Sequence, residues 1–118
     1  TISGDLNNIG CNTLTSMDIN YSIDGGATVT MPVNNINFST GNIYTFNHST
    51  SWNPTSSGTY NVEIWASNLN GSNDMDLSND RVNKNIIVFL CCICFFPVFS
   101  INSCRPYKSF FIVWLFDV

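Results

Sequence analysis

The stretch from Met17 to Asp24 reads MDINYSID, so that Met17, Ile19, Tyr21 and Ile23 alternate with Asp18, Asn20, Ser22 and Asp24. A period of two puts the apolar side chains on one face of an extended strand, and a helix cannot sort them that way. Asp24-Gly25-Gly26 follows at once, supplying residues that tolerate the positive φ of a tight hairpin. The return segment ATVTMPV holds Pro32, which has no N–H to give to a ladder, so it is expected at a sheet edge. The same alternation recurs in TYNVEIWAS, with Tyr60, Val62, Ile64 and Ala66 inward and Asn61, Glu63, Trp65 and Ser67 outward. IYTFNHS groups Tyr44, Phe46 and His48, while TISGDL and RVNKNIIV supply shorter strands. Turn-rich clusters separate all of these at about 8–12 residues per strand, the spacing of a sandwich. The expected fold is therefore all-β, an antiparallel β-sandwich of about six or seven strands. No segment offers the crossover helix that a parallel sheet needs.

Composition narrows the function classes. Residues 1–88 carry seven acidic side chains against Arg81 and Lys84 alone, which disfavours a nucleic-acid partner because phosphates need clustered cations. Asn occurs 18 times in the chain and suits turns and exposed strand faces rather than helices. Four of the five cysteines (Cys91, Cys92, Cys94 and Cys104) fall after Val88, leaving Cys11 alone in the β region, so no disulfide framework is expected. Cys11, between Gly10 and Asn12, is read as a tolerated turn residue. The first ten residues hold Asp5 and no cationic segment, so they are not a secretory signal.

A resemblance becomes specific over about residues 1–88. The first half fits N.G....L.S..I.Y..DGG, the second fits G.Y.V..W....NG..D....ND, and the region closes on I.V. In these cues the chain resembles the immunoglobulin-like, cell-adhesion-related (CARDB-like) repeat modules of large secreted Bacteroidetes proteins. The resemblance implies an immunoglobulin-like sandwich lacking its first strand, located in the secreted or cell-surface compartment. It also implies neighbouring domains of the same longer chain as partners, with surface glycans or proteins as further candidates. The matched positions are turns and core, which speak for fold more than for function.

The segment KNIIVFLCCICFFPVFSINSC breaks with everything before it. Ile86 to Ile101 gives 16 mostly apolar residues, with Arg105 and Lys108 following. Three readings compete. As a membrane anchor the run falls short of the roughly 20 residues a span wants, and Pro97 and Asn102 weaken it. As one long strand it would show apolar side chains on both faces without alternation. As an end that is frame-shifted or mis-called, it explains why seven of the nine Phe lie beyond Val88. The third reading is preferred, with a module at 1–88 and an apolar tail at 89–118; a membrane partner enters only if the tail is genuine.

Candidate site residues are few. His48 is the only histidine, and Ser49 beside it points to the opposite face of a strand, so the two do not make a nucleophile–base pair. Asp74, Asp76 and Asp80 in NDMDLSND are hard oxygen ligands that suit calcium, although their spacing is not that of a helix–loop–helix site, and a solvated loop is preferred. Trp52 and Trp65 are candidate carbohydrate-stacking residues; the alternative is that Trp52 plugs one end of the sandwich and Trp65 packs under a loop or a neighbour. The expected core is Ile19, Tyr21, Ile23, Phe46, Tyr60, Val62, Ile64 and Ile86. The functional expectation is a non-catalytic structural or adhesive module that needs no cofactor. The alternatives are a carbohydrate-binding module and a small membrane-tethered surface protein.

Overall fold

The structure is a computed structural model and describes residues 1–73, 81–93 and 105–107. The described elements are all strands: β1 (Ser3–Asn7), β2 (Leu14–Ile23), β3 (Val29–Phe38), β4 (Ile43–Asn47), β5 (Gly58–Ser67), β6 (Arg81–Val88), β7 (Cys91–Ile93) and β8 (Arg105–Tyr107). The first six form two antiparallel sheets, one ordered β3-β2-β5-β6 and the other β1-β4. The chain crosses between them in the β1–β2, β3–β4 and β4–β5 connections, which makes a β-sandwich-like two-layer body.

β2 is the strand with the strictest alternation, and it lies in the middle, pairing with β3 on one side and β5 on the other. Asp24 (φ 52°) and Gly25 (φ 68°) form the two-residue turn that the sequence anticipates, closed by the Gly26 amide on the Ile23 carbonyl at 2.8 Å. Asp24 then fixes the turn to β5: its amide donates to the Asn61 carbonyl at 2.8 Å, and its carboxylate accepts from the Asn61 amide at 2.7 Å. β3 is an edge strand, as Pro32 requires. Near its end, Asn35 to Asn37 lie opposite Thr15 alone, between the Ser16–Asn34 and Leu14–Phe38 pairs. Asn35 takes a positive φ there, and the bulge redirects the strand so that Phe38 turns into the interior.

The core sits between the layers. From the larger sheet come Met17, Ile19 and Tyr21 of β2 with Val62, Ile64 and Ala66 of β5; from the smaller come Leu6 of β1 and Phe46 of β4, with Ile2 just before β1 and Phe38 joining them. Each fully buried side chain of this size contributes about 1.5–3 kcal/mol of transfer free energy. Ile23, Tyr60 and Ile86, expected in the core, are only half-buried, because they lie at a strand end or on the edge strand β6. Asn20 and Ser22 differ in the other direction. They occupy the outward face as the alternation demands, yet both are buried.

β6 stops at Val88, and Phe89 is 67% exposed. β7 then pairs with β8 in a separate two-stranded sheet, so β6 does not run on into Cys91–Ile93.

Candidate functional site

The residues singled out for chemistry are distributed over both faces and both ends. His48 follows β4 directly; its amide donates to the Ile2 carbonyl at 2.8 Å and extends the β1–β4 ladder. Its ring is buried and meets Tyr21 edge to face, with centroids 4.8 Å apart. Nδ1 accepts from the Thr50 amide at 3.1 Å, while Nε2 is buried without a partner. Ser49 is exposed, and its amide contacts the Met31 sulfur at 3.1 Å. The imidazole is thus enclosed while the neighbouring Ser49 faces solvent. Burial also raises the Tyr21 hydroxyl above its ordinary pKa, because the phenolate loses hydration there.

Trp52 and Trp65 do not share a surface. Trp52 is half-buried against the core and meets Tyr60 edge to face at 5.0 Å. Tyr60 belongs to the inward-facing set of β5, so Trp52 closes the end of the space between the sheets. Trp65 lies on the outward face of the same strand, opposite Asn20 of β2 and Arg81 of β6. The two rings are thus on different parts of the molecule, Trp52 against the core and Trp65 on the outward face of β5.

Around Trp65 the outward face is ordered by polar contacts. The Arg81 guanidinium carbon lies 4.5 Å from the Trp65 ring centroid, and Nη1 pairs with Glu63 Oε1 at 3.1 Å. The indole face thus has a cation on it, worth about 0.5–1 kcal/mol at an exposed position. Asn20 bridges three strands: Oδ1 accepts from Thr30 Oγ1 at 2.7 Å, and Nδ2 donates to Ser67 Oγ at 2.9 Å. The result is a hydrogen-bonded surface that carries the Trp65 ring and the Arg81–Glu63 ion pair. Trp65 was legible as an outward residue, whereas its cover by Arg81 depended on a β5–β6 register that alternation alone does not set.

The end of the sandwich opposite Trp52 opens as a cleft of about 350 Å³. Leu6, Leu14, Met17, Phe38 and Leu69 supply its apolar lining, and Asn8, Cys11 and Asn70 are among its other lining residues. Cys11 is exposed with a free thiol. Asn8 is buried and makes the connection rigid: Nδ2 donates to the Phe38 carbonyl at 2.8 Å and the Asn12 carbonyl at 2.9 Å, and Oδ1 accepts from the Gly10 amide at 3.0 Å.

The calcium candidates Asp74, Asp76 and Asp80 lie outside the described residues. Among the described residues, no group of three or more His, Cys, Asp or Glu side chains is placed to hold a metal ion. No helix among them is long and apolar enough to cross a membrane. In comparison with known proteins, the chain matches no family model, no curated protein and no solved structure.

Proposed function

We propose that residues 1–88 are a non-catalytic, immunoglobulin-like module of a secreted or cell-surface bacterial protein, with a structural and adhesive task. One observation supports this reading: among the described residues, His48, Asn8, Asp24 and Asn20 are committed to holding the scaffold. His48 is enclosed behind Tyr21 and Thr50, Asn8 and Asp24 bond backbone across connections, and Asn20 ties three strands together. Such a body is stiff, and stiffness suits a spacer that must transmit force or hold neighbouring domains apart. The resemblance of the motifs to cell-adhesion-related repeats is in keeping with this reading.

The adhesive surface in this reading is the outward face around Trp65, Glu63 and Arg81. A rigid, mixed polar and aromatic patch offers contact area at little cost in side-chain entropy. Carbohydrate binding is the second reading, favoured by the outward position of Trp65 and limited by the guanidinium already stacked on it.

Beads coated with the full chain, tested for attachment to protein-coated and glycan-coated surfaces, separate these readings. The adhesive reading predicts attachment to protein that weakens when Trp65→Ala and Arg81→Ala are combined. Attachment confined to glycans moves the assignment to carbohydrate binding. Equal behaviour of the parent chain and the double variant removes the patch from the account.

A further inference from the structure

The loop that leaves β5 is fastened at one residue. Asn70 takes a left-handed conformation (φ 50°), and its amide donates to the Ser16 carbonyl at 3.0 Å. Its side-chain oxygen accepts from the Thr15 amide at 2.7 Å, from Thr15 Oγ1 at 3.0 Å and, at 3.4 Å, from the Ser16 amide. Its Nδ2 donates to the Thr13 carbonyl at 3.0 Å. One carboxamide thereby clasps the start of β2, and it does so at the wall of the end cleft. The next residue is Gly71 at φ 79°, whose amide donates to the Asn68 carbonyl at 3.2 Å.

An asparagine followed by glycine is the sequence in which side-chain deamidation meets least steric resistance, because the attacking amide carries no Cβ beside it. The Gly71 nitrogen loses its proton and bonds to Asn70 Cγ. The bond from Cγ to Nδ2 breaks, and ammonia leaves with that proton. Water then opens the cyclic imide at either carbonyl, leaving aspartate or isoaspartate at position 70. One water enters and one ammonia departs, with no change of oxidation state.

In the folded chain both reacting groups are engaged: the carboxamide by Thr13, Thr15 and Ser16, and the Gly71 amide by Asn68. Attack requires the clasp to open. We propose that Asn70–Gly71 is a gated modification site, protected while the loop is docked and converted once, irreversibly, when it opens. The product cannot dock again in the same way. A carboxylate has no N–H for the Thr13 carbonyl and sets a negative charge against it, and isoaspartate also lengthens the backbone by one carbon. Modification would therefore free the segment around Asn70 from β2 and remove one wall of the cleft.

The test is peptide mapping by mass spectrometry of the full chain aged at mildly alkaline pH, folded and in urea. Conversion at position 70 is expected to be at least about tenfold slower in the folded chain, because local opening must precede attack. Leu69→Ala, which loosens the loop's apolar anchor, should accelerate conversion several-fold without urea. If that variant does not fold, Thr15→Val, which removes one bond of the clasp, should accelerate it to a smaller extent. N70D should lower the denaturation midpoint and make the loop more susceptible to protease. Equal rates in folded and unfolded chains overturn the gating, and an N70D chain as stable and as protease-resistant as the parent overturns the release.

Discussion

The two ends of the sandwich are held by different physics. At one end Trp52 packs on Tyr60, and His48 packs on Tyr21, so closure comes from ring area removed from water. At the other end, beside the cleft, Asn8 and Asn70 fasten the connections with directed bonds between carboxamides and backbone. Apolar closure is non-directional and tolerates small shifts. Amide fastening depends on geometry, and at Asn8 its loss leaves the buried Phe38 carbonyl without that donor. The contrast teaches that an Asn-rich chain of this kind uses the same residue type for solvated turns and for structural bolts.

Substitutions at the two ends can break or sharpen that contrast. Trp52→Ala should cost the most, about 2–3 kcal/mol, somewhat below the range for fully buried tryptophans because the ring is half-buried. Denaturant melts of the full chain measure it, and a loss under about 0.5 kcal/mol would show the ring to be an ornament on the surface. Asn8→Ala should cost about 1–3 kcal/mol, since the Phe38 carbonyl loses a buried donor. Asn8→Asp, nearly the same shape, should rescue little, because a carboxylate cannot donate to two carbonyls; full rescue would mean that shape, not bonding, holds this end.

A smaller effect follows from Tyr21. Its folded-state pKa lies above the ordinary value of 10.0, so the folded protein holds a proton that the unfolded chain releases first. Stability from this group is fully present below about pH 10 and declines as pH rises through the folded-state value. Alkaline melts should show that decline, and Tyr21→Phe should remove this part of it. A Tyr21→Phe chain with the same alkaline profile as the parent assigns the loss to other tyrosines.

The fold was legible where a period of two met a strict turn. Met17 to Asp24 announced a half-buried strand and its hairpin, Pro32 announced an edge, and Tyr60 to Ser67 sorted correctly between inner and outer faces. The core membership was less legible. Ile2, Leu6 and Phe38 come from short or bulged segments in which alternation is too brief to count, whereas Ile23, Tyr60 and Ile86 had the right face but the wrong distance from the centre. The bolts were not legible at all. Nothing local marks Asn8 and Asn70 as bolts, because each is fixed by a partner 30 or more residues away in sequence. The buried Asn20 shows the same limit on the outward face: its period is polar, and its burial comes from Thr30, Trp65 and Ser67 on neighbouring strands.

Amide hydrogen exchange on the full chain tests the central arrangement most directly. β2 and β5 are bonded on both sides and should hold the slowest amides, at Ile19, Tyr21, Val62 and Ile64, with β3 and β6 exchanging faster along their free edges. Slow exchange concentrated in β3 or β6, or no protected amides between Met17 and Ile23, would contradict the two-layer order from which everything else is built.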